Sequence, residues 1–339
     1  MSDAGRPSLY VTDCDHPSLD IERRIAHAAG FGLELRQCRT AADVASACRE
    51  AAGLLVQYAP ITRAVVGALS RCRVVVRYGV GTDTVDIDAA TDHGVAVCNV
   101  PDYGVEEVSD HALALLLALG RRIATLDRAV HAGDWSLASS PDIRRLRGRV
   151  LGLVGLGRIG RAVASKGLAL GFEVVAHDPY AGEPVPGVTP VGFDELLARS
   201  DFVSIHAPQV PATRHLFDDA AFRRMKPGAF LINTARGGLV DTAALVRALA
   251  DGRLAGAGID VLEQEPIAAG DPLLDQPNCL LTPHAGWFSR DAFVELKTKA
   301  AEEAVAVMRG ATPRYCLNPA VLGRAGGGAG PTPGAPRGR

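Results

Sequence analysis

Residues 148–180, GRVLGLVGLGRIGRAVASKGLALGFEVVAHDPY, constrain this chain more than any other stretch. A short apolar strand, 150–154, runs into Gly155, Gly157 and Gly160, and a helix-forming run follows. A second apolar strand ends at Asp178, eighteen residues beyond the last glycine. Each part has a physical reason in a dinucleotide site. Gly155 permits the tight turn, Gly157 lets backbone approach a pyrophosphate, and Gly160 lets the helix pack closely on the strand. Leu156, Arg158 and Ile159 fill the turn between them, and the helix start offers free N–H groups and a positive dipole end to phosphates. Asp178 would accept hydrogen bonds from both adenosine ribose hydroxyls and repel a 2′-phosphate. Pro179 and Tyr180 bring no cation to offset that repulsion. The motif therefore reads as a site for NAD(H), not NADP(H).

The same βα logic runs through the whole chain. Apolar runs at 9–12, 33–35, 53–57, 74–77 and 95–99 read as strands, with helical runs at 19–29, 41–50, 63–69 and 87–91 between them. That alternation means a parallel sheet covered on both faces. One long amphipathic segment, 105–130, leads to the glycine motif. Strands then recur at 150–154, 173–177, 202–206, 229–233, 256–260 and 279–282, the count of a complete doubly wound nucleotide domain. A helix at 289–308 and a short run to 322 are too little for a third domain. The expected fold class is α/β with two doubly wound parallel-sheet domains: residues 1–102 with 289–322, and 103–288. The Gly/Pro-rich tail, 323–339, has almost nothing to bury and is expected to be disordered.

A length of 339 residues suits two domains, each with its own core. A net charge of −2 gives no basic surplus that would argue for nucleic acid. Seven cysteines, an odd number with no CxxC pair, predict reduced thiols with neither a disulfide frame nor a metal site. The first residues carry no apolar signal core, and the most apolar helix, 111–119, is too short to span a bilayer. A cytoplasmic location, away from membranes, is expected.

A second glycine loop, Arg77-Tyr78-Gly79-Val80-Gly81-Thr82-Asp83, closes a strand of the first domain. No third glycine follows at the right offset, so it is not another dinucleotide turn. Two glycines at a strand's carboxyl end let N–H groups converge on a small carboxylate. A plain tight turn is the other reading.

Three polar clusters terminate successive strands of the nucleotide domain. They are Thr234-Ala235-Arg236-Gly237-Gly238, then Asp260 with Glu263 and Glu265, then Thr282-Pro283-His284-Ala285-Gly286-Trp287. Strand ends carry the chemistry in this architecture, so all three are expected to face the cofactor. Reduction of a 2-oxo acid needs a positive partner for the carboxylate, and Arg236 suits because guanidinium grips carboxylates in bidentate fashion. It also needs a proton donor, and His284 suits. A carboxylate on the far ring nitrogen would orient the ring and favour its charged form, and Glu265 is the candidate. Trp287 reads either as a wall of the substrate pocket or as core.

These residues resemble the D-2-hydroxy-acid dehydrogenase family. The resemblance rests on VRYGVGTDTVDIDAA, NVPDYGVEEVSDHALALLLALGRR, GLVGLGRIG, HAPQVPATRHLF, MKPGAFLINTARGGLVD, GAGIDVLEQEP and TPHAGW, which run in the family's order from Val76 to Trp287. Within the family the chain is most similar to the C-terminal binding protein branch, through Arg77 at the start of its loop and Trp287 at the end of its histidine motif. The resemblance implies a flavodoxin-like, discontinuous substrate domain and a Rossmann NAD-binding domain. It implies that Arg236, Glu265 and His284 are catalytic, and that Arg77, Gly79, Val80, Gly81 and Trp287 meet substrate. The implied NAD contacts are Val80, Gly155 to Gly160, Asp178, Ala207, Pro208, Thr213, Thr234, Ala235, Arg236, Asp260, His284 and Gly286. It also implies a homodimer built through the nucleotide domain.

Three departures sharpen this reading. Val108 stands where many members have threonine, the regulatory domain of many phosphoglycerate dehydrogenases is expected to be missing, and Glu265 replaces the glutamine of the related formate dehydrogenases. The last favours proton transfer. The expected activity is an NAD-dependent oxidoreductase interconverting a 2-oxo acid and a D-2-hydroxy acid. The alternative is an NAD(H)-sensing corepressor or adaptor with vestigial catalysis, as in the animal C-terminal binding proteins.

Overall fold

The computed structural model describes residues 7–137 and 143–322, so the tail expected at 323–339 lies outside the described residues. The chain divides into two compact units. The first is the chain up to Tyr103 together with the chain from Phe293 onward, and the second is Gly104–Ala292. These breaks fall one and four residues beyond the positions read from sequence. The second lies inside a helix, where no turn residue marks it.

In the first unit five strands, β1 (Ser8–Val11), β2 (Gly32–Leu35), β3 (Gly53–Val56), β4 (Val74–Arg77) and β5 (Ala96–Cys98), form an all-parallel sheet in the order β2-β1-β3-β4-β5. That is the flavodoxin-like order. The helices between the strands are α1 (Asp20–Ala28), α2 (Ala41–Ala47), α3 (Arg63–Ala68) and α4 (Ile87–Asp92). Short helices need their ends satisfied, and Thr40, Thr62 and Asp86 each accept an amide of the first turn. β3 is buried at every position, as a strand covered on both faces must be.

The second unit opens with α5 (Val105–Gly120) and α6 (Ile123–His131). The single segment expected at 105–130 is thus two helices. Arg122 takes a left-handed conformation (φ 55°) between them, which ends one helix and restarts the other. Seven parallel strands follow: β6 (Val150–Val154), β7 (Glu173–His177), β8 (Val188–Pro190), β9 (Phe202–Ile205), β10 (Ala229–Asn233), β11 (Leu254–Ile259) and β12 (Cys279–Leu281). Their order is β12-β11-β10-β9-β6-β7-β8, a Rossmann arrangement extended by one strand. β8 escaped the sequence reading because it is a three-residue edge strand ending in proline. The covering helices are α7 (Arg158–Ala169), α8 (Phe193–Arg199), α9 (Asp219–Arg224) and α10 (Thr242–Ala250), and α11 (Arg290–Met308) closes the series. Among the described residues, no helix is long and apolar enough to cross a membrane, and no cluster could hold a metal ion.

Candidate active site

The glycine turn is shaped by contacts that tolerate no side chain. Gly155 sits at φ 97°, and a Cβ there would lie 2.7 Å from the Ala207 amide nitrogen and the His206 carbonyl. A Cβ on Gly160 would lie 2.2 Å from the Gly155 oxygen. Gly157 is different: nothing of the protein lies within 4 Å of its Cβ position. That open space sits above the start of α7, whose first turn has no side-chain cap. Free amides at a helix start beside an unfilled approach suit phosphate oxygens.

Asp178 is pinned in place by this turn. It accepts the Leu156 amide at 2.8 Å and the Tyr180 amide at 2.9 Å. Beyond β9, Thr213 donates to the Pro208 oxygen and accepts the Val210 amide, closing the loop that begins at Ala207. Beyond β10, the Thr234 hydroxyl is buried with no hydrogen-bond partner. A buried orphan hydroxyl at a strand's C-terminal end is the kind of group a bound cofactor would satisfy. The residues present therefore fit a dinucleotide.

The three polar strand ends converge differently. Asn233 accepts the Ala235 amide at 3.0 Å and donates to the Arg236 oxygen at 2.9 Å, which fixes the backbone carrying Arg236. Gly237 follows because a Cβ there would lie 1.9 Å from the Leu262 carbonyl carbon, so the Arg236 loop lies directly on the loop of Glu265. Glu265 accepts the Leu262 amide at 2.9 Å through one oxygen and meets His284 Nδ1 at 2.7 Å through the other. With Nδ1–H given to Glu265, Nε2 remains for another partner. Burial would raise the Glu265 carboxyl, but the His284 bond, the Leu262 amide and the charges of His284 and Arg236 hold it below the usual carboxylate range.

His284 itself is held at φ 53°, a conformation that costs a non-glycine residue free energy. Asp260 supplies the restraint. Its carbonyl accepts the His284 amide at 2.8 Å, and its carboxylate accepts the Ala285 amide, the Gly286 amide and the Thr282 hydroxyl. The carboxyl is buried, yet the His111 ring, the Thr282 hydroxyl and the two amides hold it low. Asp260 thus shapes the histidine loop.

Two histidines escaped the sequence reading. His111, on α5, meets Thr282 Oγ1 at 2.9 Å although the two lie 171 residues apart in sequence. The available signal was a lone polar residue beginning an apolar helix run. His215, at φ 50°, meets Glu263 Oε1 at 2.5 Å. Glu263 also accepts the Thr242 amide and hydroxyl. Glu263, expected among the strand-end residues that face the cofactor, has its two oxygens engaged by His215 and Thr242. Trp287 is half-buried, edge-on to Phe288, and its Cβ lies 3.6 Å from the position a Cβ on Gly104 would take.

In the first unit, Gly79 stands at φ 129°, and a Cβ there would lie 1.9 Å from the Arg77 guanidinium. Arg77 folds back over its own loop only because position 79 is bare. The loop is tied down from β5, where Asn99 donates to the Val80 oxygen and the Val100 amide donates to the Gly79 oxygen. Val80 is exposed and Gly81 half-exposed. Beneath them the Tyr78 hydroxyl donates to buried Glu22 at 2.9 Å, and buried Lys297 lies 3.3 Å from the same carboxylate.

Comparison with known proteins agrees with this geometry. The D-isomer specific 2-hydroxyacid dehydrogenase, NAD binding domain, matches residues 113–286. A glyoxylate reductase of Korarchaeum cryptofilum is 40% identical over 269 residues, spanning 78% of this chain and 81% of that one. A D-3-phosphoglycerate dehydrogenase of Mycobacterium leprae is 41% identical over the same length, about half (51%) of its own chain. The crystal structure of D-lactate dehydrogenase from Aquifex aeolicus, complexed with NAD and lactic acid, superposes with a TM-score of 0.84 at 27% identity, over 92% of this chain and 99% of that one. A Rossmann sheet, a glycine cradle with its acid, and these matches together establish that the chain belongs to the D-isomer specific 2-hydroxyacid dehydrogenase family, with NAD as its cofactor.

Proposed function

We propose that this protein is an NAD-dependent D-2-hydroxy-acid dehydrogenase, with Arg236, Glu265 and His284 as its catalytic set. The observation that carries the reading is the 2.7 Å bond from His284 Nδ1 to Glu265, which leaves Nε2 as the ring's free nitrogen. When bound, NAD(H) supplies or accepts the hydride at C2 of the substrate. His284 Nε2–H gives its proton to the carbonyl oxygen as negative charge gathers there, and in the reverse direction takes the hydroxyl proton back. Glu265 holds the ring in that tautomer and balances its charge. Arg236 grips the substrate carboxylate, and Arg77 with the Gly79–Val80–Gly81 backbone forms the first unit's contribution, which makes that unit the substrate domain. Trp287 contributes a bulky apolar wall. The cofactor contacts are those expected: Val80, the glycine turn, Asp178, the loops at Ala207 to Thr213 and Thr234 to Arg236, Asp260, His284 and Gly286.

Placement in the C-terminal binding protein-like branch rests on Arg77 and Trp287. A homodimer through the nucleotide domain and a cytoplasmic location complete the proposal. The test is NADH oxidation at 340 nm against 2-oxo acids from glyoxylate and pyruvate to phenylpyruvate, with NADPH in parallel. Turnover with NADH on one of them is the expected result. Tight NADH binding with no turnover on any would overturn the dehydrogenase reading in favour of NADH sensing.

A further inference from the structure

Beneath the second glycine loop lies a buried polar cluster that the proposed chemistry does not use. Glu22 on α1, Lys297 on α11 and Tyr78 just after β4 expose 0%, 1% and 3% of their surface. The Tyr78 hydroxyl donates to Glu22 Oε1 at 2.9 Å, and Lys297 Nζ lies 3.3 Å from the same oxygen. Lys297 also donates to the Ser18 carbonyl and stands 4.9 Å over the Phe293 ring. The His16 ring meets Tyr78 and Phe293 edge-on, at 5.7 Å and 4.7 Å, and closes the cluster.

Charged side chains are almost never this deep unless paired, and even a pair is costly. Replacing a buried ion pair by apolar groups of like volume is often neutral or stabilising. Holding α1, α11 and β4 together therefore does not require these charges. What apolar groups cannot supply is direction, since a hydrogen bond fixes a ring in both depth and orientation. The phenol is suited to that bond. Burial, then the Glu22 charge, pushes its pKa well above the usual value, so it keeps its proton and donates. Lys297 balances the carboxylate, which makes a buried acceptor tolerable.

Tyr78 stands between Arg77 and Gly79 in the chain. Its amide donates to the Val56 oxygen at 2.8 Å, which carries the β4 ladder one bond past Arg77. Successive side chains on such a ladder point to opposite sides. A tyrosine clamped on one side therefore sets where the Arg77 side chain leaves on the other. Asn99 and Val100 hold the far limb of the loop, at Val80 and Gly79, and Tyr78 anchors the near one.

We propose that Glu22 and Lys297 are positioning residues for the substrate: through Tyr78 they hold Arg77 and its loop in place for the substrate carboxylate. This rests on the reading that the Arg77 loop meets substrate. The test uses oxamate, a 2-oxo-acid mimic that accepts no hydride, titrated calorimetrically into the full chain saturated with NADH.

Tyr78→Phe should weaken oxamate about tenfold. It should raise KM for the 2-oxo acid by as much with kcat within about twofold, the mark of binding lost equally from ground and transition states. Glu22→Leu combined with Lys297→Met leaves no buried charge unpaired and is expected to melt near wild type. It removes the acceptor, however, and should weaken oxamate as Tyr78→Phe does. Glu22→Gln combined with Lys297→Met restores a neutral acceptor and should recover most of the affinity. Unchanged oxamate affinity in Tyr78→Phe and in the Glu22→Leu, Lys297→Met double variant would overturn the proposal and leave the cluster purely structural. Oxamate that fails to bind the wild type would instead overturn the reading beneath it, and the proposal with it.

Discussion

The two units share a construction rule and use it for different ends. Both are parallel sheets whose glycine loops leave the C-terminal ends of interior strands, and both place a positive-φ glycine there. At Gly155 and Gly160 a methyl group would strike backbone, which cannot move without unmaking the turn. At Gly79 it would strike the far end of Arg77, which can swing away. The nucleotide unit's glycines therefore face backbone, whereas the first unit's Gly79 faces a side chain. The comparison teaches that the glycine-rich loops should fail differently when filled.

Removing the reacting group is the strongest test of which unit holds the chemistry. His284→Ala should lower turnover about 10²–10⁴-fold, the usual worth of a positioned acid, with NADH affinity within twofold of wild type by fluorescence titration. Unchanged turnover would move the acid elsewhere and undo the assignment of chemistry to the second unit.

The paired glycine substitutions come next. Gly155→Ala combines positive φ with a backbone collision and should cost about 3 kcal/mol, roughly a hundredfold in NADH affinity. Gly79→Ala should weaken NADH binding far less than that and raise KM for the 2-oxo acid about tenfold by displacing Arg77. Equal loss of NADH binding in both variants would break the contrast between the two loops.

Most of the architecture beneath that contrast could be read from residues alone. The glycine spacing, the acid at 178 and the βα alternation carry the fold, because periodicity and turn chemistry are local properties of sequence. The pairing of Glu265 with His284 was legible because both lie in polar clusters that follow recognisable strands. The supports were not. His111 reaches Thr282 from a helix far away in sequence, and Glu263 is drawn to His215, partnerships made only by folding. Arg122 splitting the segment 105–130 was also hidden, since arginine is an ordinary helix former and nothing local announces a left-handed residue.

Asp178 separates pinning from charge within the cradle. Asp178→Asn keeps one acceptor, for the Leu156 amide, and gives up the one for the exposed Tyr180 amide, while losing the negative charge that disfavours a 2′-phosphate. The ratio of kcat/KM with NADH to that with NADPH should fall about tenfold, with the melting temperature nearly unchanged. A large drop in melting temperature with no change in the ratio would make Asp178 a purely structural clamp.

The smallest expected effect distinguishes the units by their response to acid. His206, at the end of β9, abuts Gly155 and meets Ser204 Oγ at 2.9 Å, and burial lowers its pKa to about 4. A histidine whose folded value lies below its unfolded value of about 6.5 contributes stability that is complete above pH 6.5. That stability drains as pH falls toward 4, because the unfolded chain takes up the proton first. The depressed carboxyls of Asp201 and Asp260 extend the loss to lower pH, as each must be protonated against its partners. In the first unit burial lowers His16 too, but Glu303 offsets it: burial raises its carboxyl, so acid relieves a buried charge and adds stability. Hydrogen exchange from pH 7 to pH 4 should show protection falling by about 1–2 kcal/mol in β6, β9 and β10, and by less in β1, β3 and β4. His206→Gln should flatten the nucleotide unit's profile between pH 6.5 and 4, and a profile unaltered by that change would place the proton uptake on another group.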